Sequence, residues 1–117
     1  MSGSIPTCTI TGSLRSLTGL APGDLSSLNA TLYIKNEQSF MYNDNLIAPF
    51  ELTADFDGSG NVSLACMETE TPGQRLNIFV TISEGLSTRT ILFDPAIIPN
   101  TGTIDLGSLT QVRLPVW

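Results

Sequence analysis

The feature that most constrains the fold is a period-two alternation of apolar and polar side chains that recurs along the chain. In the first run, Cys8, Ile10 and Leu14 alternate with threonine and serine. Alternation of this kind places one face of a β-strand on a core and the other face in water. The pattern predicts seven short strands, at residues 7–15, 29–35, 50–56, 61–67, 75–82, 88–93 and 102–109.

Short connections between these runs indicate how the strands are joined. Turn-forming residues lie at 57–61, 71–73 and 84–85, and these segments are too short for crossover connections. We therefore expect antiparallel pairing. The predicted fold class is all-β, an antiparallel Greek-key β-sandwich of about seven strands.

The same pattern divides the chain into three parts. We predict an N-terminal arm at residues 1–6, the sandwich domain at residues 7–110 and an apolar C-terminal tail at residues 111–117. No run has a sustained helical period. Asp24 is placed to cap a single helical turn that would extend to Asn29.

Composition excludes several classes of function. The 117 residues include no histidine, which excludes Ser-His-Asp catalysis, Cys-His catalysis and imidazole-ligated metal sites. Five Lys and Arg residues stand against 11 Asp and Glu, and the formal net charge of −6 argues against binding to nucleic acid. No apolar run is long enough to span a membrane, and the N-terminus lacks the regions of a secretory signal. We expect synthesis in the cytoplasm, with no cofactor and no nucleic-acid or membrane partner.

Three residue groups have both a chemical and a structural interpretation. Cys8 and Cys66 are either buried small hydrophobes or one disulfide, and the sequence leaves this open. Residues 55–62 match the start of an EF-hand loop, but Cys66 stands where a bidentate Glu should close the shell, which favours a hairpin turn. Four carboxylates suggest a glycosidase pair, namely Asp44, Glu51, Asp55 and Asp57. Of these, Glu51 and Asp55 lie on the outward side of one strand, where no pocket would raise a pKa. We therefore predict that the chain is not an enzyme.

Several segments resemble a known family of β-sandwich modules. Three segments, at residues 9–14, 29–34 and 52–64, resemble the start of a transthyretin-like or carboxypeptidase-regulatory-like sandwich, which is Ig-like in architecture. The later segments are similar to small modules in the virion proteins of tailed bacteriophages, at residues 72–73, 76–82, 91–95 and 103–109. The resemblance implies a binding or structural module without catalysis, and it supplies no active-site residues.

Apolar side chains at outward or loop positions are the candidate functional residues. Trp, Tyr, Phe and Met are enriched at protein interfaces, and this acidic chain places many apolar residues where a monomer would expose them. The predicted interface residues are Phe40, Met41 and Tyr42 in an insert, Phe79 on an outward strand face, Ile97 and Ile98 in a loop, and Leu114, Val116 and Trp117 in the tail.

These features together predict a structural protein located in the virion. We expect a capsid decoration (cement) protein that binds the major capsid protein or another virion protein and forms a homo-oligomer, taken as a trimer. Two alternatives stay open. One is a tail, baseplate or tail-fibre module, and the other is a carbohydrate-binding adhesin domain in which Tyr42 and residues 43–45 hold a sugar.

Overall fold

Ten strands and two short helices make up the part of the chain that the computed structural model describes, residues 5–18, 29–84, 86–100 and 102–112. Helix α1 spans Leu14–Thr18, and a 3-10 helix spans Leu106–Ser108. All seven predicted strands are present, but the seventh, predicted over residues 102–109, ends at Asp105, where the 3-10 helix follows. Strands β3, β4 and β9 are short additional strands. The strands are β1 (Thr7–Ser13), β2 (Asn29–Asn36), β3 (Phe40–Tyr42), β4 (Asn45–Ile47), β5 (Phe50–Asp55), β6 (Asn61–Met67), β7 (Arg75–Glu84), β8 (Ser87–Leu92), β9 (Ala96–Ile97) and β10 (Thr103–Asp105).

Two main sheets share one core, which confirms the predicted all-β sandwich. One sheet has the strand order β10–β1–β6 and the other β5–β2–β7–β8, with β9 paired to the start of β7. Strands β3 and β4 form a separate hairpin. All of these strand pairs are antiparallel except β1 and β10, which run parallel with Thr9 opposite Thr103. The antiparallel prediction is wrong for this pair, because no turn joins the two strands and sets their relative direction.

Alternate residues of the central strands meet in the core. Leu32 and Ile34 in β2 are the Cα partners of Val80 and Ile78 in β7, and all four are buried. Burial of such side chains stabilises a fold by roughly 1.5–3 kcal/mol each. Since neighbouring residues of a strand point to opposite faces, the same alternation fixes which residues of β2 and β7 face outward.

Strand β1 ends earlier than predicted, and α1 follows it directly. The predicted strand extends to residue 15, whereas β1 ends at Ser13. Leu14 and Leu17 are both buried, and the backbone N–H of Leu14 donates to the carbonyl of Gly60 at 2.8 Å. Residues three apart lie on one face of a helix, so this turn of helix buries both leucines where a continued strand would expose one. The predicted helical turn at residues 24–29 lies outside the described residues.

Gly12 allows the C-terminal part of the domain to close against β1. Gly12 is buried, and a Cβ atom built on it would lie 2.5 Å from Cδ1 of Leu106, which is fully buried at the start of the 3-10 helix. The side chain of Asp105 caps this helix by accepting a hydrogen bond from the backbone N–H of Gly107 at 2.7 Å. The Gly12 position therefore accommodates a core leucine that any other side chain would displace.

We expect Gly12→Ala to destabilise the fold by about 1–3 kcal/mol, because the added methyl group overpacks the core at Leu106. The measurement is the free energy of unfolding from a urea titration. Gly58→Ala is the matched control, since its new Cβ would meet nothing within 4 Å. Its stability should stay within about 0.5 kcal/mol of wild type. Equal stability of the two variants would contradict this account of Gly12.

Cys8 and Cys66 face each other across the β1–β6 pair. They are Cα partners in the antiparallel register, and both are buried as free thiols. Burial raises the pKa of the Cys66 thiol to about 12, and the neighbouring Cys8 adds to the rise. The structure thus favours the interpretation as small buried hydrophobes over the disulfide.

The Cys66 thiol is expected to resist alkylation in the folded protein. The thiolate is the reactive form, and a pKa of about 12 leaves roughly one thiol in ten thousand ionised at pH 8. The measurement is iodoacetamide labelling at pH 8 followed by peptide mass spectrometry. Labelling in urea provides the control, in which Cys66 should react fully. Equal labelling rates with and without urea would rule out a protected thiol.

Candidate protein interface

Four apolar side chains form a continuous row across the outer face of the larger sheet. Tyr33 in β2 and Phe79 in β7 are Cα partners, and their rings stack with centroids 4.8 Å apart and planes inclined by 11°. Phe79 is also the partner of Leu92 in β8, and the backbone N–H of Val112 donates to the Leu92 carbonyl at 2.7 Å. Leu92 and Val112 are 39% and 38% exposed. We call these four residues the outer row.

Polar and charged residues border the outer row. Thr53 in β5 is the Cα partner of Tyr33 and lies at the end of the row. On one side Lys35 Nζ lies 3.7 Å from Oε2 of Glu51, and on the other side Asp55 accepts a hydrogen bond from a threonine hydroxyl of β2 at 3.0 Å. Exposed ion pairs of this kind contribute little to stability. An apolar centre with a polar border is the usual composition of a protein–protein interface.

A second apolar patch lies on the β3–β4 hairpin. Met41 and Leu46 are Cα partners on one face of the hairpin, and they are 53% and 68% exposed. Asn43 in the connecting turn has a φ of 52°, a left-handed conformation that asparagine tolerates better than most residues. We call Met41 and Leu46 the hairpin patch. Single exposed apolar residues are common, but two directly paired exposed apolar residues on one hairpin are a candidate contact surface.

A buried hydrogen-bond network ties this hairpin to the sandwich. Glu68, directly after β6, is fully buried, and its carboxylate accepts a hydrogen bond from the hydroxyl of Tyr42 in β3. Thr71 donates to the same carboxylate through its backbone N–H at 2.9 Å and its hydroxyl at 2.5 Å. Within the described residues, no buried side-chain nitrogen or oxygen lacks a hydrogen-bond partner. The network therefore holds one face of the hairpin inward while the hairpin patch faces outward.

The charge state of Glu68 is set by these hydrogen bonds. Burial by itself would raise the pKa of the Glu68 carboxyl, but hydrogen bonds from Thr71, Tyr42 and the backbone N–H of Glu70 favour the charged form and bring the pKa below its ordinary value. The hydrogen bond to Glu68 in turn raises the pKa of the Tyr42 phenol. Tyr42 thus stays protonated as the donor and Glu68 stays ionised as the acceptor at neutral pH.

Four of the predicted interface residues keep exposed surface. Met41 is exposed, and three side chains are partly buried, those of Phe40, Phe79 and Ile97. Phe79 belongs to the outer row and Met41 to the hairpin patch. Three further predicted positions, Leu114, Val116 and Trp117, lie outside the described residues.

Tyr42 and Ile98 were predicted to be exposed, and this is wrong for both. Tyr42 is 7% exposed because Glu68 holds its hydroxyl inside the protein. Ile98 is 0% exposed, and its backbone N–H donates to Oγ1 of Thr69 at 2.8 Å while its carbonyl accepts from the Thr69 N–H at 2.8 Å. A buried Tyr42 ring has no free face for a sugar, so the residues of the predicted sugar-binding cluster, Tyr42 and 43–45, do not form an aromatic platform.

Sequence reasoning missed Tyr33, Leu92 and Leu46. Tyr33 stands at an outward position of the second alternating run, so the period-two pattern could have identified its face. What the pattern could not show is that Tyr33 lies opposite Phe79, or that Phe79 lies opposite Leu92. The outer row is a product of cross-strand register, which no single run of the sequence contains.

Asp57 belongs to a turn. Its Oδ1 accepts hydrogen bonds from the backbone N–H groups of Ser59 at 2.9 Å and Asn61 at 3.0 Å, and Gly60 has a φ of 80°. Within the described ranges, no group of three or more His, Cys, Asp or Glu side chains is arranged to hold a metal ion. The hydrogen bonds support the hairpin interpretation of residues 55–62 over the calcium loop.

Comparisons with protein-family models, with curated proteins and with solved structures found no match for this chain. The family resemblance therefore stays a prediction from the sequence. In the part of the chain that the structure describes, no helix has the length and apolar character needed to cross a bilayer. Function is accordingly inferred from the two surfaces, the outer row and the hairpin patch.

Glu68→Gln is expected to lower the free energy of unfolding at pH 7. It should also reduce the further decrease of that free energy as the pH falls into the acid range. Because the pKa of Glu68 is lower in the folded than in the unfolded chain, ionisation of Glu68 stabilises the fold above its ordinary pKa of about 4.3. That contribution is lost as pH falls from about 4.3 through the lower folded value. The measurement is the free energy of unfolding as a function of pH.

The matched control for this test is Glu37→Gln, which removes an exposed carboxylate whose side chain is 62% exposed. Its pH profile should follow that of the wild type. If Glu68→Gln and Glu37→Gln show the same profile, the buried carboxylate does not hold the hairpin in the manner described.

Proposed function

We propose that this chain is a non-enzymatic structural protein of a tailed-bacteriophage virion, a capsid decoration protein that binds the major capsid protein through its outer row. The observation that carries the proposal is the outer row, a stacked aromatic pair continued by two exposed aliphatic side chains across a sheet. The assignment to a virion draws its support from the sequence resemblance, and the mode of binding draws its support from the surface.

The outer row suits a partner that offers an apolar surface. Tyr33 and Phe79 are already fixed against each other by cross-strand stacking, so little side-chain freedom remains to be lost on binding. Tyr is among the residues that most often dominate binding energy at interfaces. The charged residues at the border, Lys35 and Glu51, would set orientation and exclude wrong partners more than they would add affinity.

The hairpin patch supplies a second contact. Met41 and Leu46 lie on a hairpin that Tyr42 fastens to the sandwich, so the patch is presented at a fixed position. Two apolar surfaces on one small domain allow it to bridge neighbouring subunits of a shell. A homo-oligomer, taken as a trimer, would multiply these contacts by avidity.

The test of the interface is binding of purified variants to phage heads that lack the chain. We expect Leu92→Ser to weaken binding about tenfold or more, because it removes apolar area from the centre of the contact. Leu86→Ser is the matched control, since it makes the same substitution at a fully exposed residue of the β7–β8 connection. Urea titrations should show both variants folded. Equal binding by the two variants would exclude the outer row as the contact.

The test of the virion assignment is the location and copy number of the chain in purified particles. A copy number comparable with that of the major capsid protein supports decoration of the head. A few copies located on the tail would assign the chain to the tail or baseplate instead. Heads that lack the chain should be more sensitive to heat and osmotic shock, and unchanged resistance would refute the decoration role.

A further inference from the structure

The two cysteines of the chain lie directly opposite each other on neighbouring strands. Cys8 in β1 and Cys66 in β6 are Cα partners in the antiparallel register, and both side chains belong to the buried core. Side chains of directly opposite residues point to the same face of a sheet. The chain contains no other cysteine. Each thiol therefore has one thiol neighbour within the molecule, and the two side chains share a face.

The hydrogen bonds around β1 show which kind of cross-strand pair the cysteines form. The N–H of Glu68, just after β6, donates to the carbonyl of Pro6, just before β1, at 2.9 Å. The N–H of Thr9 points the other way and donates to a carbonyl on the β10 side at 3.0 Å. Since backbone direction alternates along a strand, Cys8 and Cys66 direct their N–H and C=O groups toward each other. They are a hydrogen-bonded pair.

The spacing of a hydrogen-bonded pair suits a disulfide that carries strain. The Cα atoms of such a pair are about 5.5 Å apart, within the range of about 4.4–6.8 Å that disulfides span. Directly opposite Cβ atoms are about 4.5–5.5 Å apart, whereas a disulfide brings them to about 3.5–4.5 Å. A small movement of β1 toward β6 therefore allows the bond. Strained disulfides are reduced more easily than relaxed ones.

We propose that Cys8 and Cys66 form a reversible disulfide, in which both are thiols in a reducing compartment and a disulfide oxidant links them across β1 and β6. One cysteine thiolate attacks the oxidant and releases its first thiol. The other cysteine thiolate attacks the resulting mixed disulfide and releases the second thiol. Two protein thiols are thereby oxidised to one disulfide, the oxidant is reduced to two thiols, and these take up the two protons.

The disulfide is a second state of the pair, beside the free thiols described above. Neither side chain is open to solvent, and the raised pKa of Cys66 keeps its thiol protonated. Oxidation therefore proceeds through local opening of β1 from β6. Once β1 closes again, the register returns the second thiol to the first, where it displaces the oxidant. The inference is independent of the proposed virion function.

The bond would fasten β1, the central strand of the smaller sheet, to its neighbour β6. It would also close a loop that contains β2 to β5, which restricts the unfolded chain. We expect oxidation to raise the Tm by about 5 °C or more. Reduction with dithiothreitol should return the Tm to its original value.

The test is equilibration of the purified, reduced chain with an excess of oxidised glutathione at mildly alkaline pH. Intact-mass spectrometry should show a loss of two hydrogen atoms, and non-reducing electrophoresis should show a monomer. Peptide mapping should identify a link between Cys8 and Cys66. Persistent free thiols, a stable glutathione adduct or disulfide-linked dimers would each overturn the proposal.

The matched control combines Cys8→Ala with Thr9→Cys, which keeps two thiols but moves one to the outward face of β1. Thr9 is the Cα partner of Ala65, so the moved thiol has no thiol opposite it. This variant should accumulate a glutathione adduct without an intramolecular bond, and its Tm should not rise. If the variant forms the intramolecular disulfide as fully as the wild type does, the bond does not depend on the strand register and the proposal is wrong.

Discussion

The pairing of β2 with β7 is the constraint on which the core and the candidate interface both depend. One register places Leu32 opposite Val80 in the core and Tyr33 opposite Phe79 on the outer face. Because side chains alternate, a slip of one residue in either strand would expose core aliphatics and bury the aromatic pair. The apolar contacts inside thus hold in place the stacked rings outside. The register that fixes the core therefore also fixes the positions of Tyr33 and Phe79 in the outer row.

Polar groups organise the ends of the sandwich, where strand pairing stops. Glu68, directly after β6, accepts hydrogen bonds from Tyr42 and Thr71. Thr69 holds Ile98 through two hydrogen bonds, one accepted by its hydroxyl from the Ile98 N–H and one donated by its backbone N–H to the Ile98 carbonyl. A buried carboxylate is tolerated because several donors replace its water. These contacts hold the predicted insert that contains Tyr42 and the predicted loop that contains Ile98 against the sandwich. They also decide which apolar residues of those loops stay outside.

Most of the fold could be predicted from the sequence because it depends on local alternation. The seven alternating runs became strands, and the Asp57 turn formed from its own neighbours in the chain. Tyr42 and Ile98 could not be placed, because their burial depends on Glu68 and Thr69, which lie more than 25 residues away. The parallel pairing of β1 with β10 and the outer row depend on register between distant strands. Each error therefore comes from a contact across the fold, and each success from a pattern within one segment.

Leu92 links the outer row to the edge of β8, so the two surfaces are not independent. Its side chain continues the row from Phe79, and its carbonyl receives Val112 at the strand edge. Edge pairing accepts almost any extended segment, whereas packing against a fixed aromatic pair discriminates by shape. The stacked pair of Tyr33 and Phe79 therefore makes the outer row the more selective surface of this sheet.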